Sequence, residues 1–137
     1  MSEKAEFLGR YDHCLDAKGR LILPAKLRPM FGSVAFLTRH NEGCIAVWRQ
    51  EEFREELTKM QNLLTGDADS RNRVRAWAAS VVEQDIDKQW RVLIPQELRQ
   101  YGQLQSEVIV VGVIDHVELW SPSSWDSQVG ILEGSVF

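Results

Sequence analysis

The stretch YDHCLDAKGRLILPAKLR, residues 11–28, returns as VEQDIDKQWRVLIPQELR at residues 82–99. Asp16 falls on Asp87, Arg20 on Arg91, Pro24 on Pro95, Leu27 on Leu98 and Arg28 on Arg99. The likeness runs further. VAFLT at 34–38 resembles VIVVG at 108–112, and IAVWRQEEF at 45–53 resembles VELWSPSSW at 117–125, with Trp48 on Trp120 and Phe53 on Trp125. An internal repeat of this length marks a structural unit. Each copy reads as strand, tight turn, strand, short helix, strand, loop, strand, helix. Neither copy is expected to close a core alone, because each lies at the low end of the about 40–60 residues at which domains become self-sufficient. The two copies are therefore expected to pool one barrel-like core in an α+β fold. The expected units are a first half at 8–54, a helical connector at 55–80, a second half at 82–126 and a tail at 127–137.

Leu21-Ile22-Leu23 and Val92-Leu93-Ile94 are short, wholly apolar runs, which predicts buried strands. Pro24 and Pro95 end them and suit the first position of a helix, where a missing N–H costs nothing. Short helices are expected over 25–28 and 96–99, with Gly32 and Gly102 as stops. Between the copies, Phe53, Leu57, Met60 and Leu64 recur at helical spacing. Thr65-Gly66-Asp67 breaks that helix, and Asp67 or Ser70 can cap a second one carrying Arg71, Arg73 and Arg75. The apolar stripe of this hairpin fits either the core or a subunit contact. Its arginines fit a solvated face better than a DNA contact.

With 44% hydrophobic and 26% charged residues the chain is expected to fold. No apolar run reaches the roughly 20 residues that span a bilayer. The charged start MSEKAE is not followed by an apolar signal segment, so a cytoplasmic protein is expected. Cys14 and Cys44 are then reduced rather than bridged. His13 adjoins Cys14 and His40 precedes Cys44, but no C-x-x-C or H-x-x-x-H spacing supports a metal, and none is assigned. No cofactor and no small-molecule substrate are expected either. The net charge of −4 argues mildly against nucleic acid. Its distribution matters more: residues 10–28 carry a local +3, and 51–56 a local −3.

DAKGR has a physical logic. A three-residue hairpin loop often uses a type I turn followed by a residue at positive φ. Ala17 and Lys18 can form the turn, leaving Gly19 in the left-handed position that favours glycine. The Asp16 carboxylate can accept from the turn's own N–H groups and can face Arg20 across its mouth. Such a turn can approach a phosphate backbone, and arginine can read guanine. The plainer reading, in which Asp16–Arg20 only pins the hairpin, is compatible with the first. The second copy, Asp87-Lys88-Gln89-Trp90-Arg91, has Trp90 where Gly19 stood. A tryptophan at positive φ costs about 1–2 kcal/mol, so this turn is expected to have another shape and to leave most binding to the first.

GRYDHCLDAKGRL at 9–21, DKQWRVLIP at 87–95 and VELWS at 117–121 together resemble the MraZ family of bacterial transcriptional regulators. The resemblance covers roughly 7–125. It implies two AbrB-like swapped-hairpin halves in pseudo-two-fold repeat around a small β-barrel core, with a helical hairpin insert and a C-terminal helix. It implies ring-shaped homo-oligomers, association with the nucleoid, and binding of double-stranded DNA at short direct repeats. Those repeats lie upstream of the division and cell-wall gene cluster that includes the regulator's own gene, which is generally repressed. It maps the DNA-facing surface onto Asp16, Lys18, Gly19 and Arg20, and onto Asp87, Lys88 and Arg91. Trp90 departs from the family's usual glycine and puts that second surface in doubt. A ring presenting many copies of one basic turn also explains an acidic chain, because weak contacts add through effective concentration.

Two other classes compete. A ring-forming protein-interaction module would use the five tryptophans at interfaces, and its binding would lack a steep salt dependence. An enzyme is poorly supported. Asp12, His13 and Cys14 point to alternate faces of a strand, no Gly-rich phosphate loop is present, and Ser123 and Ser124 after Pro122 look like helix entry. Trp48 and Trp120 are read as core or subunit-contact residues. The end of the chain, 130–137, is expected to fray, with Val136 and Phe137 available to dock on a neighbour.

Overall fold

The computed structural model describes residues 3–133. The strands are β1 (Phe7–Cys14), β2 (Arg20–Ile22), β3 (Val34–Arg39), β4 (Ile45–Trp48), β5 (Val82–Asp85), β6 (Arg91–Leu93), β7 (Glu107–Ile114) and β8 (Val117–Trp120). The helices are α1 (Gln50–Leu63), α2 (Ala68–Ser80), α3 (Gln96–Tyr101), α4 (Pro122–Trp125) and α5 (Ile131–Glu133). A 3-10 helix spans Ala25–Met30 where the second half has α3. Gly102 caps α3 as expected, whereas the 3-10 helix contains Pro29 and ends before Gly32.

The strands form a six-stranded antiparallel sheet, β1-β7-β8-β4-β3-β5, and a two-stranded ribbon, β2-β6. The halves exchange partners. β1 of the first half pairs with β7 of the second, and β5 of the second pairs with β3 of the first. The ribbon joins one strand from each half, and β4 meets β8 at the centre of the sheet. The register is symmetric. Leu21 faces Val92, its counterpart in the repeat, and Arg20 and Ile22 face Leu93 and Arg91. A pseudo-two-fold axis thus passes through the Leu21–Val92 pair. Each half needs the other to satisfy its backbone, because unpaired buried N–H and C=O groups are costly.

The core lies between ribbon and sheet. Leu21, Leu23, Val92 and Ile94 come down from the ribbon, and Leu37, Val47, Val110 and Leu119 come up from the sheet, each at most 1% exposed. Leu27 and Leu98, matched in the repeat, close the ends. One expectation is corrected: Ile22 is 45% exposed and Leu93 41%. A ribbon has one face on the core, so alternate residues of an apolar run must point to water.

The helical hairpin packs on β3. Phe53 stacks on Phe36 at 4.3 Å, and Trp77 joins them. Leu57, Leu63 and Leu64 stay exposed, so only part of the predicted stripe is core. Asp67 is the cap, accepting from the Ser70 N–H at 2.8 Å. Arg73 and Arg75 are exposed and Arg71 bonds the Gly66 carbonyl, in keeping with a solvated face. Trp48 and Trp120 are buried in the core. The described part of the tail is not frayed. Glu133 accepts from Trp125 Nε1 at 2.6 Å and from Arg10 Nη1 at 2.7 Å, which ties α5 to β1. Val136 and Phe137 lie outside the described residues. No described helix is long and apolar enough to cross a membrane.

Candidate nucleic-acid interface

The two D-x-x-x-R turns share one geometry. In the first, Gly19 N–H donates to the Asp16 carbonyl and Asp16 N–H to the Arg20 carbonyl, both at 3.0 Å. In the second, Trp90 N–H donates to Asp87 at 2.9 Å and Asp87 N–H to Arg91 at 3.1 Å. Asp16 Oδ1 accepts from the N–H groups of Lys18 and Arg20 at 2.9 and 2.8 Å, and Oδ2 from Arg20 Nε at 2.7 Å. Asp87 does the same with Gln89, Arg91 and Arg91 Nε at 2.9, 2.8 and 2.7 Å. Gly19 has φ +84° and Trp90 φ +62°. The expectation that Trp90 gives its turn another shape is therefore corrected.

The reason is in the other half of the molecule. Arg28 lies over the Trp90 ring at 5.9 Å, and the indole packs on the core. At the matching place Arg99 fills the space beside Gly19, where an added Cβ would meet its guanidinium carbon at 2.9 Å. Each arginine is held in the same way, Arg28 Nε on the Leu23 carbonyl and Arg99 Nε on the Ile94 carbonyl, both at 2.9 Å. The turns are also laced across the halves. Leu23 N–H donates to Trp90 and Ile94 N–H to Gly19, both at 2.9 Å. Packing and cation–π contact thus offset the strain at Trp90. Arg28 and Arg99 were visible in the repeat, but nothing local in the sequence showed that each supports the opposite turn.

Each carboxylate is held below its usual range. The backbone N–H of the arginine is the largest cause, partial desolvation opposes it, and the arginine side chain and the second backbone N–H add to it. Both ion pairs are partly exposed, so they shape the turn more than they stabilise the fold. Among the described residues, the Nη atoms of Arg20 and Arg91 make no hydrogen bond. One edge of each guanidinium is pinned while the other is available. Lys18 and Lys88 are exposed, but at different loop positions: Lys18 matches Gln89, and Lys88 matches Ala17. Asp16, Lys18, Gly19, Arg20, Asp87, Lys88 and Arg91 are thereby gathered beside one axis, at the ends of one ribbon.

A second polar group lies where the loop between β3 and β4 meets β8. Ligand atoms of His40, Cys44 and Glu118 come within 4.8 Å of one another. Their own bonds account for the arrangement. Glu118 accepts from His116 Nε2 at 2.8 Å and Trp120 Nε1 at 2.9 Å, and His40 Nδ1 accepts from the Glu42 N–H at 3.2 Å. Burial pushes the Cys44 thiol up, with the charges of Glu118 and Glu42 adding. Cys14 and Cys44 are both free.

The family described as "MraZ protein, putative antitoxin-like" matches residues 7–75 and 78–133, one stretch for each half. The chain belongs to the MraZ family. A transcriptional regulator MraZ of Acetivibrio thermocellus is 40% identical over 124 residues, 90% of this chain and 87% of its own length. One from Ligilactobacillus salivarius is 42% identical over 121 residues, 88% and 85% of the two chains. One from Desulforamulus reducens is 40% identical over 129 residues, 94% and 91%. By these names MraZ is a family of transcriptional regulators, not of enzymes.

Proposed function

We propose that this protein is a sequence-specific DNA-binding repressor. Its targets are short direct repeats upstream of a division and cell-wall gene cluster that includes its own gene. It acts as a ring-shaped homo-oligomer associated with the nucleoid, in which each subunit adds a weak contact. The observation that carries this reading is the pair of turns. They have matching hydrogen bonds, lie at opposite ends of one ribbon, and leave the Nη edges of Arg20 and Arg91 available. Because the Trp90 turn keeps the shape of the first, both turns are assigned to the DNA surface.

Fluorescence anisotropy with the DNA upstream of the protein's own gene, against a scrambled duplex, tests it across a salt series. The expected result is a preference for the native duplex that weakens steeply with salt. Lys18→Ala and Lys88→Ala should each weaken binding and lower the log–log salt slope by about 1. Arg20→Ala should cost more, since it removes a contact and unpins the turn. Equal binding of both duplexes by the unaltered protein would overturn the reading.

A further inference from the structure

We propose that Ile22 and Leu93 are specificity-determining residues that read thymine methyl groups in the major groove, between the guanidinium groups of Arg20 and Arg91. This rests on the DNA-binding reading above.

The register makes the case. Arg20 faces Leu93 and Ile22 faces Arg91 across the ribbon. Side chains two apart on a strand, and those directly opposite, share a face. Leu21 and Val92, between them, are each 1% exposed and point to the core. Arg20, Ile22, Arg91 and Leu93 therefore form one outward face, symmetric about the axis. Exposed Leu8 and Ile114 lie at the far end of the β1–β7 pair, and Leu57, Leu63 and Leu64 lie on or just beyond α1. Exposed Leu132 lies on α5. Among the described residues, Ile22 and Leu93 are thus the large exposed apolar residues on the ribbon that carries the turns.

Their placement suits a groove. A two-stranded ribbon fits the major groove, which is about 12 Å wide. Arginine Nη groups match the acceptors of guanine, and an aliphatic side chain matches the one apolar group the groove offers, the thymine methyl. The Ile22 backbone is braced, since its carbonyl accepts from His13 Nδ1 at 3.0 Å.

The test uses the duplex that the unaltered protein enriches from a random-sequence pool. Each thymine in it is replaced singly by deoxyuridine, which removes only the methyl group. The expected result is a loss of about fourfold in affinity at one or a few positions, the worth of one buried methyl. Ile22→Ala and Leu93→Ala should bind the parent duplex more weakly and lose that sensitivity, each at its own half of the site. Ile22 is 45% and Leu93 41% exposed, so the urea midpoint should fall only slightly. Deoxyuridine without effect on the unaltered protein, or sensitivity retained in both variants, would overturn the inference and leave the DNA-binding reading standing. No enrichment of any duplex would overturn both. A change of oligomer size in Ile22→Ala with parent-duplex affinity unchanged would make the patch a subunit contact and overturn this inference alone.

Discussion

Trp90 and Gly19 occupy the same turn position with opposite side-chain solutions. Trp90 sits at φ +62°, where a side chain costs about 1–2 kcal/mol, and its indole packs on the core under Arg28. Gly19 sits at φ +84° with Arg99 in the space a side chain would need. A substitution at Gly19 therefore meets strain and collision together. Gly19→Ala is predicted to lower stability by at least about 1 kcal/mol, read from the urea midpoint, and to weaken DNA binding. An unchanged midpoint would contradict this, since it would need both the backbone strain to relax and Arg99 to move aside at no cost. The carboxylates add a pH dependence. Asp16 and Asp87 have folded pKa values below those of the unfolded chain, so their contribution is complete above about pH 4. It is lost as pH falls through the lower folded values. Urea midpoints taken downward from pH 5 should fall more for the unaltered protein than for Asp16→Asn.

At the scale of elements, the join between the N-terminal segment and α1 depends on one ion pair. Arg49 Nε and Nη2 donate to the Glu52 carboxylate, which also accepts from the Ala5 N–H at 3.1 Å, and Arg49 Nη2 reaches the Glu3 carbonyl. Both side chains are less than 10% exposed. Glu52→Ala leaves Arg49 with Glu51, 3.2 Å from its Nη1, and with the Glu3 carbonyl. It removes the acceptor of the Ala5 N–H, and is predicted to cost about 1–3 kcal/mol in chemical denaturation. No measurable loss would mean that Glu51 and water replace Glu52 fully. The ribbon shows the opposite case, where an element is defined by what it leaves exposed. Three apolar residues in a row cannot all be buried by a strand with one covered face, which is why Ile22 and Leu93 face water.

At the scale of the molecule, the halves are related by an axis but are not equal on it. At the centre of the sheet Ala46 faces Glu118. Glu118 is bound by His116, which stacks on Trp48 at 4.6 Å, so this polar contact links β8 to β4. Burial opposes the His116 charge, but bonds to Glu118 and Asp115 outweigh it and raise the pKa. Its contribution to stability is complete below about pH 6.5 and is lost as pH rises through the higher folded value. A fall in melting temperature across that window is predicted for the unaltered protein, and should be reduced in His116→Gln. An NMR titration placing His116 below its usual pKa would contradict this.

Sequence alone determined the repeat, the order of elements, the first D-x-x-x-R turn and a cap at Asp67 or Ser70, because each is a short-range constraint. A turn needs a residue at positive φ within three positions of its aspartate, and a helix end needs an acceptor within one turn. The family was legible for the same reason, in motifs read along the chain. Only the tertiary structure decided what the halves do to each other. It exchanged strand partners between them, put Arg28 on the turn at Trp90 and Arg99 on the turn at Gly19, and turned Ile22 and Leu93 outward beside Arg91 and Arg20. These are contacts between residues far apart in sequence. Their energies come from packing and strand register, which no local spacing encodes.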